Sequence, residues 1–146
     1  MLVRLLYASR SKDPITDVMI QDILKQSRAN NEAQGITGVL SVYESGDTFL
    51  QVLEGGRAQV NALYQKISRD PRHQDVVILH HEDISERRFS AWRMGRVNLS
   101  KVNRSTIIRF SETASLDPYT LPGAAALRLL EELVATAAIA TETMAS

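Results

Sequence analysis

The chain contains no cysteine, which excludes disulfides, thiolate nucleophiles, Cys-based zinc sites and thiol redox sensing. It has no excess of either charge. Seventeen Lys+Arg balance seventeen Asp+Glu for a formal net charge of +0, which removes the overall electrostatic footprint of a nucleic-acid binder. It also lacks a long apolar run: the longest tract, Gly123 to Ala140, is broken by Arg128, Glu131 and Glu132. The opening Met1-Leu2-Val3-Arg4-Leu5-Leu6 is too short and too soon interrupted for a signal peptide. The expectation is a soluble, cytoplasmic protein with no membrane and no nucleic-acid partner. Internal repeats, low-complexity tracts and blocks of five like charges are absent as well. Glu54-Gly55-Gly56-Arg57 lacks both the GxGxxG pattern and the Walker lysine, so it carries neither a dinucleotide nor a triphosphate fingerprint, although phosphates can bind by other routes.

What is present is a chain of 146 residues, 44% hydrophobic and 23% charged. That suits one domain with a small appendage, able to bury a real core. Leu2 to Tyr7 reads as a buried strand ending at Tyr7, with Ala8-Ser9-Arg10-Ser11 as a loop. Ile15, Met19, Ile20, Ile23 and Leu24 recur at the spacing of an amphipathic helix. It would start near Asp13-Pro14 and be closed by Asn30-Asn31, with Gly35 in the exit loop. Ile36 to Tyr43 and Thr48 to Glu54 form a strand pair across Glu44-Ser45-Gly46-Asp47, which has hairpin composition. Val60, Leu63, Tyr64 and Ile67 mark a second amphipathic helix ending before Asp70-Pro71. Val76 to His80 is a fourth strand, and Trp92 to Leu99 a fifth, whose Arg93, Arg96 and Asn98 point to a sheet edge. The fold class is therefore α+β: a ferredoxin-like β-α-β-β-α-β sheet with an extra fifth strand and two helices on one face. Residues 1–100 make the compact domain. Residues 101–146 make an appended C-terminal segment, with an Ala/Leu-rich helix over about 123–140.

The familiar catalytic constellations fail. His80 and His81 are adjacent, so on a strand they face opposite ways, and no third ligand lies at metal spacing. His73, after Asp70-Pro71-Arg72, reads as a helix-end histidine near the last carbonyls. Arg87, Arg88, Arg93, Arg96, Lys101 and Arg104 make a locally positive stretch that fits a solubilised edge better than a nucleic-acid site. Neutral hydrogen-bonding residues stand out instead. Gln51 lies inside the apolar Phe49-Leu50-Gln51-Val52-Leu53 strand and shares a face with Phe49 and Leu53, so it is either exposed or buried with a dedicated partner. Taken singly, Tyr7 is an ordinary core aromatic and Asn30-Asn31 a helix cap. Taken together with Gln51, they point to a planar polar ligand.

Several stretches resemble the BLUF domains, blue-light sensors that use FAD. They are Leu5-Leu6-Tyr7-Ala8-Ser9, Ser27-Arg28-Ala29-Asn30-Asn31 with Gly35-Ile36-Thr37-Gly38-Val39-Leu40, Phe49-Leu50-Gln51-Val52-Leu53-Glu54-Gly55, Asp70-Pro71-Arg72-His73, and Phe89-Ser90-Ala91-Trp92-Arg93-Met94. They follow the family's order over about residues 1–100. The combination of the Asn-Asn and Gly-Ile-Thr-Gly pieces with Gln-Val-Leu-Glu-Gly behind an N-terminal tyrosine is the specific part.

The resemblance implies non-covalent FAD with its ring between the two helices, Ile23 and Ile67 against its faces, Asn31 near the C4 carbonyl and N3, and Asn30 nearer the C2 carbonyl. Gln51 would sit between the Tyr7 hydroxyl and the N5 edge, making Tyr7 and Gln51 the photoactive pair. Ser27 joins the cofactor-binding set, and Arg28, Lys66, Arg72 and His73 are candidates for the ribityl and phosphate end. Trp92 and Met94 would be the signalling residues of the fifth strand. No turnover chemistry is expected, since the chain has no room for a second catalytic domain. Output would pass to a protein partner such as a response regulator or a cyclic-dinucleotide enzyme. Two helices on one sheet face would leave the other apolar face bare; part of the C-terminal helix is expected to pack there and part to pair with another subunit, so a homo-oligomer, at least a dimer, is expected. The competing readings are a flavin-dependent redox enzyme and a light-indifferent ferredoxin-like interaction module.

Overall fold

The computed structural model describes residues 1–43, 47–91, 93–99 and 102–135 and the backbone of 139–140. The strands are β1 (Leu2–Ser11), β2 (Thr37–Tyr43), β3 (Thr48–Gly56), β4 (His73–Ile84), β5 (Gly95–Asn98) and the two-residue β6 (Ile139–Ala140). The helices are α1 (Asp17–Gln34), α2 (Arg57–Arg69), α3 (Arg104–Ile108) and α4 (Gly123–Ala135), with a 3₁₀ turn at Pro118–Thr120. The sheet order is β4-β1-β3-β2-β5-β6. Neighbours are antiparallel except β2 and β5, which gives the α+β ferredoxin-like arrangement with added strands.

Several boundaries differ from the sequence reading. β1 runs past Tyr7 to Ser11, because Ala8 and Arg10 keep ladder partners on both sides, Ser9 pairs with Phe49 of β3 and Ser11 with His73 of β4. Tyr7 is therefore mid-strand. α1 starts at Asp17, where the Thr16 hydroxyl caps the Met19 amide. It passes Asn30-Asn31 and stops at Gly35, whose positive φ of 69° ends the helix while its N–H reaches the Asn31 and Glu32 carbonyls. β4 is longer than expected and begins at His73, so His73 is a strand residue and not a helix cap. β5 begins at Gly95, after Met94, and lies between β2 and β6 instead of at the edge. The polar Arg96 that suggested an edge reaches across to Asp17 of α1 at 3.4 Å. Glu44, Ser45 and Gly46 of the hairpin, Trp92, and the Ala137 and Ala138 expected in the last helix lie outside the described residues.

The alternation of the strands sorts their side chains onto two faces. On one face Val3, Leu5, Tyr7, Leu40, Phe49 and Leu53 pack with Ile20, Ile23 and Leu24 of α1 and Val60 of α2. On the other, Leu6, Ala8, Val39, Leu50 and Val52 pack with Ala126, Leu127, Leu129, Leu130 and Leu133 of α4. Burying each such leucine contributes about 1.5–3 kcal/mol. The face opposite α1 and α2 is thus covered by α4 from within the chain, as expected for part of the C-terminal helix. Among the described residues no helix is long and apolar enough to cross a membrane.

Candidate functional site

The antiparallel register sets Tyr7 of β1 directly opposite Gln51 of β3. Both face the layer of α1 and α2, and both are buried. The Tyr7 hydroxyl donates to Gln51 Oε1, and Gln51 Nε2 donates to Met94 Sδ at 3.2 Å. A buried amide inside an apolar strand thus has both of its ends engaged. Burial pushes the Tyr7 phenol far above its usual range, and nearby Tyr64 and Asp70 add to the rise. Tyr7 consequently remains a protonated donor at any physiological pH. Tyr64 of α2 meets its ring edge-on, with centroids 5.7 Å apart.

Above this pair α1 and α2 bound a cleft. On α1, Ile23, Gln26, Ser27, Asn30 and Asn31 recur at i, i+3, i+4, i+7 and i+8, one face of the helix. On α2, Leu63, Lys66 and Ile67 do the same. Tyr7, Leu40 and Gln51 line its sheet side, and Asp70, Arg72 and His73 its end. Of the residues expected from sequence to bind cofactor, this cleft brings together all but Arg28. That side chain lies 100° further round α1 than Ser27, and its Nε and Nη2 donate to the Met94 carbonyl at 3.2 and 3.0 Å. Arg28 thus does not line this cleft, and its guanidinium is engaged by the Met94 main chain instead. Asn31 is buried, and its Nδ2 donates to the Arg93 carbonyl at 3.1 Å, whereas Asn30 is exposed at the rim. Gln26, Leu40, Leu63 and Asp70 were missed; the helical spacing from Ile23 and Ile67, which the resemblance supplied, would have found Gln26 and Leu63.

At the end of the cleft Arg72 donates to Asp70 at 2.6 Å and to Gln26 Oε1 at 3.2 Å, joining the end of α2 to α1. Hydrogen bonding to Arg72 holds the Asp70 carboxyl below its ordinary value. His73 is buried against Phe49, with ring centroids 5.1 Å apart, and its Nδ1 lies 2.8 Å from Ser9 Oγ. Burial lowers its pKa below the ordinary 6.5, so it is neutral at pH 7. A folded-state pKa below the unfolded one means that the unfolded chain takes up more protons in acid. The stability due to this burial is fully present above about pH 6.5 and is lost as pH falls through the folded value. Urea midpoints taken between pH 8 and 5 should fall on acidification, and His73→Asn should flatten that slope.

Among the described residues no group of three His, Asp or Glu converges as a metal site. The slot has aliphatic Ile23 and Ile67 on its two helices and the neutral amides of Asn30, Asn31 and Gln51 along its length. That donor set fits a planar heteroaromatic ring with carbonyl and N–H groups on its edge, as a flavin has.

A family profile, BLUF, sensors of blue-light using FAD, matches residues 2–95. The photoactivated adenylate cyclase subunit alpha of Euglena gracilis is 39% identical over 90 residues, 62% of this chain and 9% of that protein. The chain therefore spans less than a tenth of that relative. The solved structure of BlsA in its photo-activated state superposes with a TM-score of 0.82 at 30% identity, covering 99% of each chain. Klebsiella pneumoniae BlrP1 with FMN and cyclic diGMP superposes with a TM-score of 0.66 at 30% identity, over 94% of this chain and 35% of that one. A tyrosine and a glutamine paired beneath a two-helix cleft, in a chain matched over residues 2–95, belong to the BLUF family of blue-light sensors.

Proposed function

We propose that this chain senses blue light with non-covalently bound FAD in the cleft between α1 and α2, and that Tyr7 and Gln51 convert excitation into a hydrogen-bond change read by a partner protein. The observation that carries this reading is the buried relay from the Tyr7 hydroxyl through the Gln51 amide to the Met94 sulfur. Ile23 and Ile67 would flank the ring, with Asn30, Asn31 and Gln51 at its polar edge and Ser27 beside them. Lys66 and Arg72 would serve the phosphates, while His73, neutral and engaged by Ser9, lines the end of the cleft. Photoexcited flavin supplies a strong oxidant. Tyr7 supplies the oxidisable phenol, and its high pKa means that the proton leaves only together with the electron. Gln51 Oε1 is the acceptor already hydrogen-bonded to that proton. An amide carries a donor end and an acceptor end, so Gln51 can settle in a second arrangement in which its bond to Met94 is exchanged. Leaving one buried group unpaired is worth about 1–3 kcal/mol, enough to bias a two-state segment.

The family is a sensor rather than a catalytic domain. One relative is an adenylate cyclase subunit and another was solved with cyclic diGMP, which supports an effector of cyclic-nucleotide chemistry as the partner. The absorption spectrum of the purified protein separates the readings. A reversible light-induced red shift is expected; a colourless protein would leave only the interaction module, and bleaching by NAD(P)H would favour the redox enzyme. Acid precipitation should release a flavin whose fluorescence rises on phosphodiesterase cleavage, as that of FAD does; unchanged fluorescence would identify FMN.

A further inference from the structure

Met94 is fully buried and is held at two separate points. Its sulfur takes the Gln51 amide, while its main-chain carbonyl takes both Nε and Nη2 of Arg28. One residue earlier the Arg93 carbonyl takes Asn31 Nδ2. Arg28 and Asn31 are three residues apart on α1 and so adjacent on its surface. The ladder between β5 and β2 begins at Gly95 opposite Val39. The Met94 carbonyl therefore lies just outside the ladder, and a side chain engages it. A planar guanidinium with two parallel N–H groups grips one oxygen in a fixed orientation, which a lysine ammonium cannot reproduce.

Building on the light-sensing reading, we propose that Arg28 is a positioning residue for the photoresponse. Its guanidinium fixes the Met94 main chain where the sulfur meets the Gln51 amide, and so sets the rate at which the protein returns to its resting state. The physical reason is leverage over a short distance. Carbonyl and sulfur belong to one residue, so a shift of the Met94 backbone along the β5 direction carries the sulfur away from Gln51. Because the grip belongs to the resting arrangement, the return reaction regains part of it before the barrier is crossed. Removing the grip raises that barrier.

The test uses the flavin-loaded full chain with methionine carbonyls labelled with carbon-13, comparing wild type, Arg28→Ala and Arg28→Lys, with Met94→Leu identifying the Met94 band. In the dark, the Met94 carbonyl stretch should move to higher frequency in Arg28→Ala and by a smaller amount in Arg28→Lys. After a light pulse, thermal return should be about tenfold slower in Arg28→Ala, about 1.4 kcal/mol in barrier, with partial rescue by lysine and with flavin content and red-shift amplitude retained. A Met94 band that stays put in the dark, a return that is unchanged or faster, or loss of flavin would each overturn the proposal. If wild type shows no red shift, the light-sensing reading itself has failed; if wild type shifts normally and the Arg28 variants return as fast as it does, the failure belongs to the Arg28 proposal alone.

Discussion

Gln51→Leu should bind flavin yet show no reversible red shift, and Tyr7→Phe should behave in the same way. Leucine nearly matches the volume of glutamine and sits in a strand of apolar neighbours, so the core around Phe49 and Leu53 stays filled. What disappears is the only side chain bonded to both the Tyr7 hydroxyl and the Met94 sulfur among the described residues. With Gln51→Leu the phenol keeps its electron but loses the acceptor of its proton, and no group remains that can exchange partners. Tyr7→Phe removes the electron donor and leaves the Gln51 carbonyl without its donor. The loss of signal should be complete, because each residue is one half of a single relay. Difference spectra before and after a blue pulse decide the matter, and a normal shift in Gln51→Leu would contradict the mechanism. Thermal unfolding of both variants, run alongside, should show folded protein.

Glu54→Ala should be the most destabilising single change at the other face of the sheet. The Glu54 side chain is entirely buried beside Arg4, itself 2% exposed. It accepts from Arg4 Nε at 2.8 Å and from the backbone amides of Arg88 at 3.1 Å and Phe89 at 2.7 Å. Removing the carboxylate leaves Arg4, among the described residues, with Glu82 alone, part-exposed and shared with His80, and orphans two backbone N–H groups. Breaking a buried pair from one side costs about 3–5 kcal/mol, a fall of roughly 10 °C or more in Tm for a chain of this size. Adding Arg4→Met to Glu54→Ala should recover only part of it, because the amides of residues 88 and 89 remain unpaired. Urea unfolding measures both; a full recovery in the double variant would show that the ion pair, and not the anchoring of the 88–94 segment, is what Glu54 supplies. That segment is held by Glu54 at one end and by Asn31 and Arg28 at the other, so its geometry depends on both faces of the sheet.

The sequence by itself determined the elements with strong periodicity. The β-α-β-β-α-β order, the alternation that places Gln51 with Phe49 and Leu53, and the helical faces carrying Ile23 and Ile67 all follow from local spacing, because a strand repeats every two residues and a helix every 3.6. The resemblance of five short stretches carried the cofactor and the tyrosine-glutamine pair. Only the tertiary structure decided where the elements end and what lies between them. Ser9 and Ser11 look like loop residues until their pairing with Phe49 of β3 and His73 of β4 extends β1, and His73 looks like a helix cap until its burial against Phe49 and Ser9 is seen. Arg28 sits one residue from Ser27 and was expected at the phosphate end, yet a turn of 100° sends it to the Met94 carbonyl. Glu54, read as part of a motif, proves to anchor a segment more than thirty residues away. Contacts of that kind join residues distant in sequence through hydrogen bonds to the backbone, and a backbone amide leaves no trace in the identity of the residue that carries it.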